Sequence, residues 1–373
     1  MNIANTDIVR ATAARIAVCI GRFQVLHRGH LASVQRALDL APRCVVVLGS
    51  AHQARSPRNP FTWEERAALL RLALPAADRE RIDILPVRDY YDEAAWVRAV
   101  RRGVAALHPG LRAEEGPAPV VLVGHRKDAT GAYLDHFAGW RRDDSGLWPD
   151  LHGTALRDAY FDAHGRGATA LEAALAAMAG QVPPATVDFL RAWALLPAYA
   201  AVAEEWAALR AEKAKWAGAP YAPTFVTVDT VVQCAGRILL IRRARAPGKG
   251  LWAVPGGFLE PRETVYQSAL RELQEETGLH LLPTDMSAAL RSVRVFDHPD
   301  RSQRGRVITH AHHFDLGGRM PPEVAAADDA EAARWVPLDQ LAGMENQFHE
   351  DHFHMLDAFL GLTGTAAVRA SSS

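Results

Sequence analysis

The first half of the chain alternates short, unbroken apolar runs with helix-like segments, and this alternation constrains the fold more than any other feature. "IAVCI" (16–20) precedes a helix that starts near His30. "CVVVLGS" (44–50) precedes a loop and then "TWEERAALLRLAL". "IDILPV" (82–87) precedes "EAAWVRAVRRGVAAL", and "PVVLVGH" (119–125) is a fourth run. Continuously apolar strands separated by helices predict an α/β fold, a doubly wound parallel sheet covered on both faces. Ligands of such sheets sit beyond the carboxyl ends of the strands. GRFQVLHRGH (21–30), GSAHQARSPRN (49–59), RDYYDEAAW (88–96) and GHRKDATG (124–131) all fall at those ends and are expected to line one crevice.

With 373 residues the chain is too long for one ordinary core, so two domains are expected. Residues 181–218 are Ala-rich with spaced Trp and Leu and read as helices. "GAPYAPT" (218–224) reads as a linker. Beyond it the pattern changes. "FVTVDTVVQCAGRILLIRR" predicts a hairpin around Cys-Ala-Gly, followed by a helix at 264–277, strands near 291–297, 306–315 and 334–337, and a helix near 350–361. This is a second domain of mixed α+β type. The expected divisions are 14–180, a helical extension and linker at 181–221, and 222–362, with the tail "GTAAVRASSS" disordered.

The 42 basic and 43 acidic side chains leave a net charge of −1, which argues against a protein devoted to nucleic acid. Cys19, Cys44 and Cys234 form no C-x-x-C pair. They read as small core hydrophobes, and their odd number suits a reducing compartment. No apolar stretch reaches the roughly 20 residues of a membrane helix. "MNIANTDIVRATAA" lacks a signal-type apolar segment. A cytoplasmic location is therefore expected.

"GRFQVLHRGH" places Gly21, Arg22, His27, Gly29 and His30 where a buried strand turns into a helix. Uncapped N–H groups and the helix dipole favour anions there. The glycines allow close backbone approach, and Arg22, His27 and His30 supply donors. One such residue would read as a solvated basic loop; together they predict a polyphosphate cradle. The stretch resembles the H-x-G-H signature of the nucleotidyltransferase superfamily, with Val25 where proline is frequent. "LHGTALRDAYF" (151–161) supplies the later helix-start element as Gly153, Thr154 and Arg157. The whole of about 14–165 resembles the bacterial and archaeal nicotinamide mononucleotide adenylyltransferases. The resemblance implies transfer of AMP from ATP to nicotinamide mononucleotide, giving NAD and pyrophosphate. Arg22, His27, His30 and Arg157 would be catalytic, with Mg²⁺ on the phosphates. Gly21, Arg22, Phe23, Gln24, His27, His30, Gly124, Thr154 and Arg157 would bind the nucleotide. Asp89 and Trp96 are candidates for the mononucleotide, Trp96 by stacking or, equally, as a core aromatic. Asn59 and Arg66 are candidates for fixing the loop beneath. Nicotinate mononucleotide or phosphopantetheine are the alternative acceptors.

The second constellation is "GGFLEPRETVYQSALRELQEETGL" (256–279). Residues at i, i+3 and i+4 share a helix face, so Glu272, Glu275 and Glu276 gather three carboxylates on one patch. Such a patch repels itself, and a hard divalent cation removes that cost. Glu263 is placed to pair with Arg271, and Gly278 sits where a helix ends in the left-handed conformation. A solvated acidic face is the plain alternative. From Gly257 the stretch reads G-x5-E-x7-R-E-L-x-E-E-x-G-L, and it resembles the Nudix box at every fixed position: Gly257, Glu263, Arg271, Glu272, Glu275, Glu276 and Gly278. This implies hydrolysis of a diphosphate by Mg²⁺ (or Mn²⁺) on Glu272, Glu275 and Glu276, with Glu275 and Glu276 catalytic. Arg301, Arg304 and Arg306 are phosphate or packing candidates, and Trp252 and Phe258 stacking or packing candidates. A second base is sought among Glu323, Asp328, Asp329 and Glu331.

An adenylyltransferase followed by a Nudix domain resembles bifunctional enzymes of NAD metabolism whose second domain cleaves ADP-ribose to AMP and ribose 5-phosphate. The partners this implies are ATP, nicotinamide mononucleotide, NAD and ADP-ribose, with no nucleic acid or membrane and with homo-oligomerisation left open. A Nudix domain with another substrate, or one serving as a non-catalytic nucleotide sensor, is the alternative.

Overall fold

The structure, a computed structural model, describes residues 14–111, 119–124, 135–144, 146 and 151–363. Residues 125–131 of the fourth crevice segment, the first 13 residues and the tail 364–373 lie outside it. The chain divides into two compact units, Met1–Ala203 and Glu204–Ser373.

In the first unit five strands, β1 (Ile16–Gly21), β2 (Arg43–Leu48), β3 (Ile82–Pro86), β4 (Val120–Val123) and β5 (Arg141–Asp143), form one sheet in the order β3-β2-β1-β4-β5. Every neighbouring pair is parallel. Side chains alternate across a strand. Ala17 and Cys19 of β1 accordingly enter one core with Val34, Leu38 and Leu70, while Ile16 and Val18 enter the opposite core with Val100 and Val104. Burial on both faces is why these strands read as unbroken apolar runs. The connecting helices are α1 (Arg28–Leu40), α2 (Trp63–Ala73), α3 (Ala76–Arg79) and α4 (Glu93–Leu107), and α5 (Gly153–Asp162), α6 (Ala168–Met178), α7 (Pro184–Trp193) and α8 (Pro197–Ala214) follow. The chain leaves β1 toward β2 on one side and meets β4 on the other, so the strand order reverses at the end of β1, which is where such sheets open a crevice.

Helix α7 packs on this unit. Trp193 meets Phe61 edge-on at 5.0 Å, Tyr160 donates to the Leu190 carbonyl at 2.7 Å, and Tyr199, early in α8, donates to the Tyr160 carbonyl at 2.9 Å.

The second unit carries β6 (Thr224–Cys234), β7 (Arg237–Arg243), β8 (Trp252–Ala253), β9 (Gly256–Phe258), β10 (Leu290–Phe296), β11 (Arg306–Asp315) and β12 (Ala330–Pro337). The main path is β10-β11-β6-β7-β12, with β8 on β7 and β9 on β6. β11 runs parallel to β6 and the other pairs are antiparallel, so the sheet is mixed. The β6–β7 hairpin turns at Ala235 and Gly236, as the Cys-Ala-Gly pattern predicts. Helices α9 (Val265–Thr277), α10 (Pro283–Ala289), α11 (Leu338–Leu341) and α12 (His352–Leu360) complete it.

Three differences from the sequence expectation have physical causes. β5 is a short charged edge strand, so no apolar run announces it. β8 and β9 are too short for periodicity to register. β12 begins at Ala330 rather than 334, because its first residues are half-buried Ala and an exposed Glu, which give no apolar run.

Helix α2 starts in a capping box: the Thr62 hydroxyl accepts the Glu65 N–H at 3.3 Å and the Glu65 carboxylate accepts the Thr62 N–H at 2.8 Å. Thr62→Ala should lower the stability of this unit by about 1 kcal/mol in denaturant titration, with the secondary-structure spectrum of the folded protein unchanged.

Candidate functional site

In the first unit the cradle is built where β1 gives way to α1. His27 caps the helix, its Nδ1 accepting the His30 N–H at 3.3 Å. The two imidazoles stack with centroids 3.6 Å apart, and Phe23 backs His30 at 4.7 Å. Burial, reinforced by the charges of His27, Arg22 and Arg157, holds the His30 ring well below the usual imidazole range. Its Nδ1 is buried without a hydrogen-bond partner among the described residues.

Arg157 reaches the same loop from α5. It is 7 % exposed and donates to the Gln24 carbonyl and, at 3.0 Å, to Thr154 Oγ1. Burial first and the Arg22 charge second lower it to about 10. A Cβ on Gly153 would lie 2.9 Å from the Gln24 carbonyl oxygen, so α5 starts at a separation glycine permits. The structure thus joins the loop at 21–30 to Gly153, Thr154 and Arg157, far apart in sequence.

The remaining candidates divide between the cradle and its support. The Gln24 amide is committed to the Phe61 main chain, accepting its N–H at 3.0 Å and donating to its carbonyl at 2.8 Å. Arg66, 2 % exposed, donates to the carbonyls of Arg22, Gly49 and Ser50; burial lowers it to about 10. It therefore fixes the loop. Asp89 accepts from the Ser50 N–H, the Ser50 hydroxyl and Gln53, and Gln53 in turn accepts from Asn59 at 2.9 Å. Gly21 and Gly124 stand at the ends of β1 and β4; the Gly21 carbonyl accepts the Gly49 N–H at 3.0 Å. Trp96 is half-buried, edge-on to Phe137 at 6.0 Å.

In the second unit Thr264 and Gln267 cap α9 reciprocally, and Gly278 ends it at φ +62°. Arg271 donates to Glu263 at 3.0 Å, to Glu272 at 2.9 Å and to Glu275 at 2.8 Å. Glu263 also accepts from Ser268 and, with Arg271, is held below the usual carboxylate range. Glu276 is 4 % exposed and accepts the Gly256 N–H at 2.9 Å. Burial, then the charge of Glu272, pushes it up to about 8. Burial also raises Glu272. A Cβ on Gly257 would lie 2.4 Å from the Glu272 carboxylate, and one on Gly256 would lie 2.2 Å from the Val228 carbonyl. Gly257 lets β9 pass directly over the acidic helix, and Gly256 lets it lie close against β6.

Among the described residues no three acidic, His or Cys side chains already surround one point. The donor set nevertheless suits a divalent ion. Glu272 and Glu276 are desolvated carboxylates in each other's field, which is costly without a cation, and all their donors are hard oxygens. Arg271 supplies a positive charge beside Glu272 and Glu275.

Burial separates the candidate arginines. Arg301 makes a buried two-point ion pair with Asp351, 2.8 and 2.9 Å. Arg306 is exposed and donates to the Asp297 carbonyl. Arg304 lies 5.8 Å from the Phe258 ring. Trp252 is buried beneath Arg334, whereas Phe258 is open to solvent. Of the four base candidates, Asp328 adds its charge to Glu272, Asp329 pairs with Arg245 at 2.9 Å, and Glu323 and Glu331 are exposed. Asp229 is absent from the sequence candidates. It is 5 % exposed on β6, receives the Thr309 hydroxyl at 2.5 Å, and is raised to about 6 by burial. Its signal is a single acid inside an apolar strand.

The geometry agrees with what the chain resembles. Residues 223–359 match the NUDIX domain family and residues 18–128 the cytidylyltransferase-like family. The chain is 34 % identical over 146 residues to a nicotinamide/nicotinic acid mononucleotide adenylyltransferase of Acinetobacter baylyi, covering 39 % of this chain and 74 % of that protein. It is 40 % identical over 116 residues to an ADP-ribose pyrophosphatase of Methanocaldococcus jannaschii, covering 31 % of this chain and 63 % of that protein. A crystal structure of a bifunctional NMN adenylyltransferase/ADP ribose pyrophosphatase of Francisella tularensis, complexed with AMP and a Mn ion, aligns with a TM-score of 0.83 and 31 % identity over 93 % of this chain and 99 % of that one.

Glu276 and Asp229 keep their protons in the folded, metal-free chain at pH values where the unfolded chain has lost them. The folded state then binds more protons, so stability falls as pH rises from about 5 to about 8. Denaturant titration of metal-free protein should show that fall. Glu276→Gln should flatten it, and an unchanged slope would show that Glu276 ionises normally.

Proposed function

The chain belongs to the family of bifunctional nicotinamide mononucleotide adenylyltransferase/ADP-ribose pyrophosphatases, and from that premise we propose that it makes NAD with its first unit and hydrolyses ADP-ribose with its second. The observation that carries this reading is that both constellations occur in one chain, in the same order and over nearly the full length of the Francisella enzyme. We assign the catalytic segments to 14–180 and 222–362, joined by the helical stretch 181–221.

In the first reaction a phosphate oxygen of nicotinamide mononucleotide attacks the α-phosphorus of ATP, the bond to the β-phosphate breaks, and pyrophosphate leaves. The nucleophile is already an anion, so no side chain has to take a proton. The protein's task is to align two anions and offset charge on the leaving group. Arg22, His27 and His30 hold phosphate oxygens at the mouth of α1, and Arg157 with Thr154 does so at the start of α5. Arg66, Gln24 and Gly153 keep the two helix mouths in register. Asp89 and Trp96 take the mononucleotide side.

In the second reaction water replaces one side of the diphosphate, giving AMP and ribose 5-phosphate. A divalent ion held by Glu272, Glu275 and Glu276, Mg²⁺ or Mn²⁺, would supply an acidified water and screen the diphosphate. Glu263 keeps Arg271 beside these acids. The Gly256 N–H fixes Glu276, and the bare Gly257 leaves room above Glu272. We place the protein in the cytoplasm, a reading supported by three buried, unbridged cysteines.

The two activities should separate by mutation. His30→Ala should cut adenylyl transfer by about 10²–10³-fold and leave ADP-ribose hydrolysis unchanged. Glu276→Gln should abolish hydrolysis and leave NAD synthesis unchanged. Hydrolysis retained in Glu276→Gln would overturn the assignment of the metal site.

A further inference from the structure

Two arginines of the second unit stand close to the acidic helix with donors that none of the described residues takes up. Arg243 ends β7. Its Nε donates to the Pro247 carbonyl at 2.8 Å, and neither Nη has a hydrogen-bond or ion-pair partner among the described residues. Arg304 makes one long ion pair, 4.0 Å to Glu212, and its buried Nε has no hydrogen-bond partner among the described residues.

The loops that carry them converge. Gly248, next to the carbonyl that anchors Arg243, lies flat against His349, where a Cβ would sit 2.2 Å from Nδ1. The neighbouring Glu350 accepts from the Ser302 hydroxyl at 2.9 Å and the Gln303 N–H at 2.8 Å, fixing the segment that presents Arg304. The nearby acids are engaged elsewhere: Glu205 takes the Gly248 N–H, Glu350 holds the 302–303 turn, and Asp351 holds Arg301. Arg243 consequently feels the charge of Arg304 with no direct counter-ion. It also lies in the field of Glu276, and Arg304 sits 5.8 Å from the ring of Phe258, the residue after Gly257, so the pair borders the carboxylate site. Two guanidinium forks brought together with free Nη groups are unfavourable unless an anion bridges them, and phosphate oxygens match that geometry.

We infer that Arg243 and Arg304 form the anion half of the hydrolytic pocket, taking non-bridging oxygens of a diphosphate whose other face meets the carboxylates of α9. The inference rests on reading the second unit as a hydrolase of nucleoside diphosphate-linked compounds. It separates Arg304 from Arg301 and Arg306, whose donors are committed to Asp351 and to the Asp297 carbonyl.

The test uses the full chain with Arg243→Gln and Arg304→Gln, and with Arg304→Lys as a second variant that keeps the half-buried charge. Methylenediphosphonate binding is read by calorimetry, alongside KM for ADP-ribose, affinity for Mn²⁺, and adenylyl transfer as the measure of intact protein. Each Gln variant should weaken methylenediphosphonate and raise KM about tenfold or more, with a smaller change in kcat. Mn²⁺ affinity and adenylyl transfer should stay within about twofold, and Arg304→Lys should fall between Gln and wild type. Methylenediphosphonate affinity within about twofold of wild type in both Gln variants would overturn the subsite. Weakened binding in a protein whose wild type does not cleave ADP-ribose would sustain the subsite and refute the substrate assignment instead.

Discussion

The hydrogen bond from the Gly256 N–H to Glu276 sets the chemistry of the second unit, because it holds a carboxylate where water cannot reach it. That bond is possible because β9 lies too close to Glu272 of α9 at Gly257, and too close to β6 at Gly256, for a Cβ at either position. Desolvation then makes the acids seek either a proton or a cation. The box therefore gathers desolvated carboxylates in a fixed frame, with Arg271 as its internal counter-ion.

The first unit follows the same logic with the sign reversed. Arg66 and Arg157 are both buried and both lowered to about 10, and both donate to main-chain carbonyls rather than to carboxylates. Positive charge so placed is held against backbone oxygens without a direct ion pair. Burial, together with the neighbouring positive charges, lowers the proton affinity of His30. Each half thus holds charge of one sign against backbone groups, and each is complementary to phosphate chemistry, directly in the first case and through a cation in the second.

Much of this is legible in the residues. Burial on both faces writes itself as unbroken apolar runs, so the parallel sheet can be read from "IAVCI" and "CVVVLGS". A helix start packed with donors, and three glutamates on one helical face behind Gly-Gly, mark the two candidate sites in the sequence, the glutamates through the full box spacing rather than through their repulsion alone. What cannot be read depends on tertiary partners. Arg301, Arg304 and Arg306 look alike in sequence, and only Asp351 and the Asp297 carbonyl tell them apart. Gln24 reads as a ligand contact, yet its amide is bound to Phe61. Arg243 belongs to a run of arginines that resembles any solvated strand end, and Asp229 is one acid within an apolar strand. In both cases the meaning comes from the loops folded over them.

Product analysis of the full chain tests the central claim most directly. With a divalent metal, the protein should convert ATP and nicotinamide mononucleotide to NAD and pyrophosphate, and in a separate reaction convert ADP-ribose to AMP and ribose 5-phosphate. Correctly folded protein that forms neither pair of products would contradict the account.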